Sequence, residues 1–124
     1  MSQPDISVVI RTYNEEAYLP DLLDAIRQQS QSSYEIIVVD SGSWDRTCEI
    51  AQRGADRLLH LQSRDFTFGY ALNIGIQEAS GRFIVIVSAH TRPLDPQWLG
   101  KLVEPLGHEN TAMVYGRQLG AAGS

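Results

Sequence analysis

The chain has a single cysteine, Cys48, among its 124 residues, so no internal disulfide can form. That fits a reducing compartment, and within a predicted helix the thiol reads as a small buried apolar group. Long hydrophobic runs are also missing. The longest, Phe83 to Val87, falls far short of the ~20 residues that a membrane-spanning helix needs. Met1 to Asp5 has neither the basic start nor the apolar stretch of a secretory leader, so a cytoplasmic location is expected. Ten basic residues against fifteen acidic give a net charge of −5. The charges form no basic stripe, so a nucleic-acid backbone is not an expected partner. Glycine patterns that cradle phosphates, G-x-G-x-x-G and G-x-x-x-x-G-K, are absent, as is the G-x-S-x-G nucleophile elbow. One cysteine and three widely spaced histidines give no zinc-ligand spacing.

What is present is an ordinary globular balance, 43% hydrophobic and 20% charged, in a length suited to one domain. Ile6 to Ile10, Ile36 to Val39 and Phe83 to Val87 are short, β-branched and barely alternating. That pattern predicts strands covered on both faces, as in parallel sheets. Arg57 to Leu61 alternates in part and reads as nearer an edge, and Thr111 to Tyr115 is a further candidate strand.

Helical patterns lie between them. Leu19, Leu22, Leu23 and Ile26 share one face, with Pro20 near the start. A second helix is predicted over about 45–53, with Ser43 or Asp45 as cap and Gly54 as its C-terminal glycine. A third runs over about 69–79, and a fourth starts at Asp95-Pro96 and continues to Leu106. This βα alternation implies an α/β fold, a mostly parallel sheet sandwiched by helices.

Ligands of such sheets bind at the carboxyl ends of the strands, where the strand order reverses. That rule selects three polar loops: Arg11 to Glu15, Asp40 to Asp45, and Ser88 to Thr91. Asp40 is an acceptor-only carboxylate that can take the imide N–H of uracil or thymine; alternatively it only closes an Asx turn or caps the next helix. Gly42 would let a flat base or ribose approach the backbone. His90 is either a divalent-metal ligand beside a diphosphate or a hydrogen-bonded strand-end histidine. His60 and His108 read as edge or surface residues. Asn73 and Gly75 are poor helix formers inside a helix, which points to close helix–sheet packing at the glycine or to Asn73 supporting a ligand loop. Arg64 and Arg92 either reach a phosphate or, as is more usual for an arginine, are simply solvated.

Four segments together resemble the nucleotide-binding half of a family 2 glycosyltransferase with the Rossmann-like GT-A fold. They are Val8-Val9-Ile10-Arg11-Thr12-Tyr13-Asn14-Glu15-Glu16; Tyr34-Glu35-Ile36-Ile37-Val38-Val39-Asp40-Ser41-Gly42-Ser43; Ala71-Leu72-Asn73-Ile74-Gly75 with Ala79-Ser80-Gly81; and the strand ending in Ser88-Ala89-His90. The resemblance spans about residues 5 to 117. It implies transfer of a sugar from a nucleoside diphosphate to a saccharide or lipid-linked acceptor with inversion, in surface polysaccharide synthesis. It implies that Thr12, Tyr13, Glu15, Asp40, Ser41, Gly42, Ser43 and Asn73 bind the nucleotide, with Asp40 on the base N–H. Ser88-Ala89-His90 stands where the family usually has D-x-D, so Ser88 and His90 take the diphosphate or metal position. His90 either keeps one bond to Mn²⁺ or Mg²⁺ or donates to the diphosphate directly. Variants with this triplet suggest a UDP- or dTDP-sugar. Trp44 also departs from the pattern, where a small residue is common.

The family's catalytic base lies in a later segment, and no residue here matches it. Residues 1–119 are therefore expected to form a truncated nucleotide-sugar-binding domain and 120–124 a flexible tail. Two alternatives compete: a non-catalytic transferase-like assembly module, for which a homo-oligomer is expected, and a signalling receiver. The receiver pattern is poorly matched, because the first strand ends in Arg11-Thr12 rather than an acidic pair.

Overall fold

The structure is a computed structural model that describes residues 4–29, 33–61, 68–90, 97 and 112–115. The predicted fourth helix, Arg64, Arg92, His108 and the 120–124 tail lie outside the described residues.

The elements are β1 (Ile6–Thr12), α1 (Leu19–Arg27), β2 (Tyr34–Asp40), α2 (Thr47–Gly54), β3 (Arg57–His60), α3 (Phe68–Glu78), β4 (Phe83–Ser88) and β5 (Ala112–Tyr115). The five strands among the described residues form one sheet in the order β3-β2-β1-β4-β5, and each pairing between them is parallel. The expected α/β architecture is thus the observed one, with β3 at an edge as its partial alternation implied.

The inner strands lack alternation because both of their faces are covered. Val8, Ile10, Ile36, Val38, Val85 and Val87 pack with Leu19, Leu22, Leu23 and Ile26 of α1 and Ala51 of α2. On the opposite face Val9, Ile37, Val39, Ile84 and Ile86 pack with Ala71 and Leu72 of α3. Gly75 lets α3 sit close: a Cβ there would lie 2.5 Å from Val9 Cγ1 and 3.2 Å from Val39 Cγ2. Close packing is therefore reason enough for this helical glycine.

Two local expectations change. Gly54 is the last residue of α2 and does not adopt a left-handed conformation. It is small because a Cβ would come 2.8 Å from Leu23 Cδ1, where α1 and α2 meet. At the other end of α2, Ser43 makes no cap. Asp45 serves the first turn instead, its Oδ1 accepting from the Thr47 amide at 2.9 Å.

The amino ends of the strands are fastened by a buried carboxylate. Glu35 Oε2 accepts from Ser7 Oγ at 2.5 Å, Ser80 N at 2.8 Å and Ser80 Oγ at 2.9 Å. Ser7 Oγ in turn accepts from Gly81 N at 2.8 Å. This ties β1, β2 and the α3–β4 turn together at the end of the sheet remote from the polar loops.

Candidate functional site

Strand order reverses at β1, whose sheet neighbours are β2 on one side and β4 on the other. The loops after these three strands meet at the carboxyl end of the sheet, where α/β proteins bind ligands. The register places Thr12 beside Asp40 and Arg11 beside Ser88.

Asp40, 1% exposed, organises the second loop. Its Oδ1 accepts from Thr12 Oγ1 at 2.7 Å and Ser43 Oγ at 2.5 Å, and its Oδ2 from Gly42 N at 3.1 Å and Ser43 N at 2.8 Å. These donors fill the four lone-pair directions of a carboxylate. The turn has the Asx character that was one of the two sequence readings, and a base N–H could be accepted only in exchange for one of these bonds. Gly42 sits at φ 90°, a conformation that glycine adopts without steric cost. Burial pushes Asp40's pKa up, but the bonds from Ser43, Thr12 and the neighbouring Cys48 outweigh it and hold the carboxyl below its usual range. Burial, the bond to Asp40 and the charges of Asp40 and Asp45 push the Cys48 thiol up to about 11.

The first loop is held by the second. Three successive amides are received by side chains from across the cleft: Asn14 N donates to Ser43 Oγ (2.7 Å), Glu15 N to Thr47 Oγ1 (2.7 Å) and Glu16 N to Asp45 Oδ2 (3.4 Å). Asn14, at φ 53°, returns a bond by accepting Trp44 N at 3.0 Å. Asparagine tolerates this left-handed position better than most residues. Tyr13 and Trp44 remain exposed, Trp44 by 80%.

The third loop closes on the first. His90 Nε2 lies 2.9 Å from Glu15 Oε1, and its ring stacks on Tyr18 with centroids 4.0 Å apart. The His90 amide donates to Ser88 Oγ at 3.0 Å. The imidazole and the carboxylate thus face each other across the gap between β1 and β4.

Thr12, Glu15, Asp40, Ser43, Ser88 and His90 are therefore brought to one end of the sheet. Ser41 is buried there too, and its Oγ has no hydrogen-bond partner among the described residues. Asn73 is exposed on α3, and no hydrogen bond among the described residues joins it to the loops. Asn14, Asp45 and Thr47 carry much of the loop architecture without standing out as site residues in the sequence. Asn14 lies in the motif, and its residue type at a strand end is the one signal that could have marked it.

Glycosyl transferase family 2 matches the chain over residues 7–123. The chain belongs to this family. A PGL/p-HBAD biosynthesis glycosyltransferase of Mycobacterium tuberculosis is 32% identical over 121 residues, 94% of this chain and 47% of that protein. The O-antigen chain rhamnosyltransferase RfbN of Salmonella typhimurium is 32% identical over 116 residues, covering 92% of this chain and 37% of its own length. Among solved structures, the mannosyltransferase PcManGT of Pyrobaculum calidifontis, in complex with GDP-Man and Mn²⁺, superposes with a TM-score of 0.76 at 28% identity. That match covers 86% of this chain and 33% of PcManGT. Glucosyl-3-phosphoglycerate synthase of Mycobacterium tuberculosis, with Mn²⁺, UDP and its product, gives 0.70 at 29% identity, covering 86% and 40%. The chain spans less than half the length of these relatives. Its fold is the GT-A fold, and the family assignment leaves no room for the receiver reading. No described helix is long and apolar enough to cross a membrane.

Proposed function

We propose that this chain is the donor-binding portion, residues 1–119, of an inverting glycosyltransferase that uses a UDP- or dTDP-sugar in surface polysaccharide synthesis. The observation that supports it best is the interlocking of the three strand-end loops around Asp40 at the strand-order reversal. Thr12, Tyr13, Glu15, Asp40, Ser41, Gly42, Ser43 and Asn73 are the proposed nucleotide-binding set.

In this reading Asp40 exchanges the Ser43 hydroxyl bond for the imide N–H of the base, while the Gly42 and Ser43 amides keep the loop in place. Cytosine has no such N–H and would turn its N3 lone pair toward the carboxylate, so it is disfavoured by acceptor–acceptor repulsion rather than by size. The exposed face of Gly42 lets ribose approach, whereas the Ser41 Oγ is buried with no hydrogen-bond partner among the described residues, so a ligand reaches it only if the turn opens.

The residues at Ser88-Ala89-His90 fit a divalent ion through one imidazole and the adjacent Glu15 carboxylate, a donor set suited to Mn²⁺ more than to Mg²⁺. Such an ion would neutralise charge on the leaving diphosphate. Without it, His90 can donate to a diphosphate oxygen once it leaves Glu15. The base that deprotonates the acceptor hydroxyl, and the saccharide or lipid-linked acceptor site, are assigned to residues outside this span. The location is cytoplasmic, at the inner membrane face when the acceptor is lipid-linked.

Calorimetry with UDP, dTDP, CDP and GDP, each with and without Mn²⁺, tests the reading. UDP or dTDP should bind and CDP should be at least roughly tenfold weaker, the loss expected for one missing hydrogen bond to a charged group. Equal affinity for all four, or a preference for GDP, would overturn the base assignment.

A further inference from the structure

A second cluster lies behind the loop, on the α2 side of the sheet. Asp40 and His60 are register partners on the parallel strands β2 and β3, so their side chains leave the same face. Cys48, in the first turn of α2, packs over that face. One ligand atom from each of the three residues lies within 4.8 Å of the others. Cys48 and His60 also open onto a cleft of about 550 Å³, lined further by Glu49, Gln52, Asp56 and Arg57, through which water and ions can enter.

We propose that Asp40, Cys48 and His60 form a site for a borderline-soft divalent ion, with zinc as the natural occupant. The donor set decides the class: a thiolate and an imidazole with one carboxylate favour Zn²⁺ or Co²⁺ over Mg²⁺, Ca²⁺ or Mn²⁺. Three protein ligands leave the fourth tetrahedral position to a water from the cleft. Zinc at ordinary bond lengths needs its ligand atoms about 3.5 Å apart, so the cluster must tighten slightly. His60 can supply that movement, because it is exposed on an edge strand. Binding balances simply: the Cys48 S–H bond breaks, its proton leaves to solvent, and an Sγ–metal bond forms with no change in oxidation state. The ion competes for Asp40 with the donors that hold the Ser41–Ser43 turn, so the site is bidirectionally coupled to that loop. This proposal does not depend on the nucleotide assignment.

Titration of the 124-residue chain with Co²⁺ tests it, read by the thiolate-to-cobalt charge-transfer band and the intense visible bands of tetrahedral cobalt. One ion per chain should develop the thiolate band, Zn²⁺ should abolish it by displacement, and excess Mg²⁺ should not. Cys48→Ser should abolish the charge-transfer band while still donating a hydrogen bond to Asp40. His60→Ala, at an exposed position, should weaken binding by roughly tenfold or more. No charge-transfer band in the parent chain, or a band of unchanged affinity in His60→Ala, would overturn the proposal.

Discussion

Glu15 Oε1 and His90 Nε2 lie 2.9 Å apart although 75 residues separate them in sequence. The pair bridges the ends of β1 and β4 across the crevice where strand order reverses, and Tyr18 stacks on the imidazole. If this imidazole serves the diphosphate, His90→Ala should weaken UDP binding while leaving uridine binding nearly unchanged. Loss of one charge-assisted bond corresponds to about 1.5–3 kcal/mol, or roughly ten- to a hundredfold in Kd. Calorimetry with both ligands measures the split, and an equal loss for uridine and UDP would place His90 elsewhere.

Asp40 is expected to matter for folding as well as binding. Asp40→Ala strips the acceptor from Thr12 Oγ1, Ser43 Oγ and the Gly42 and Ser43 amides at once. Several partly or fully buried donors left unmet should cost about 3 kcal/mol or more, seen as a lower denaturation midpoint. Ser43→Ala removes one of those donors and the acceptor of the Asn14 amide but leaves the turn amides bonded, so it should perturb stability less. Equal destabilisation by the two variants would contradict the assigned network.

Stability should fall on acidification. Burial raises the pKa of both Asp40 and Glu35. Hydrogen bonds, from Ser43, Thr12 and Cys48 to the first and from Ser7 and Ser80 to the second, more than offset it and leave both lowered. A carboxyl whose folded pKa lies below its unfolded value binds fewer protons folded than unfolded. Its stabilisation is complete above the unfolded value and is lost as pH drops through the folded one. Urea midpoints should therefore decline below pH about 4.5. Glu35→Gln should be less stable at neutral pH and show a shallower decline; an unchanged slope would remove Glu35 as a cause.

Two glycines should respond differently to alanine. At Gly81 a Cβ would meet backbone, Ser7 N at 2.7 Å and Ile6 C at 2.8 Å, and β1 cannot yield without disturbing its pairing with β2 and β4. At Gly75 the obstruction is mainly the Val9 side chain, and a helical alanine recovers up to about 1 kcal/mol of propensity. Gly81→Ala should therefore be the more destabilising, by about 1–3 kcal/mol in chemical denaturation. A larger loss at Gly75 would mean that the helix–sheet contact is the tighter constraint.

The sheet was legible in the sequence because β1, β2 and β4 are covered on both faces and carry short runs rich in β-branched residues. The strand-end rule then pointed to the loops around Thr12, Asp40 and His90 before any geometry was known. What could not be read is what depends on partners distant in sequence. Gly54 looked like a helix terminator, yet its smallness answers to Leu23 of α1. Ser43 looked like a cap for α2, yet it bonds Asp40 and receives the Asn14 amide. Cys48 and His60 seemed too far apart to matter to each other; the parallel pairing of β2 with β3 and the return of α2 bring them together. Spacing along a chain reports local turns well, but the register between strands reports which side chains meet.

The central claim is that the three interlocked loops bind a nucleoside diphosphate. The most direct test is a titration of the ¹⁵N-labelled chain with UDP, followed amide by amide. The account predicts saturable shifts concentrated in residues 12–15, 40–43 and 88–90, with little change at Glu35 or Ser80 at the opposite end of the sheet. Shifts that are absent, or that centre on the Glu49–Gln52–Arg57 cleft while the loops stay unmoved, would contradict it.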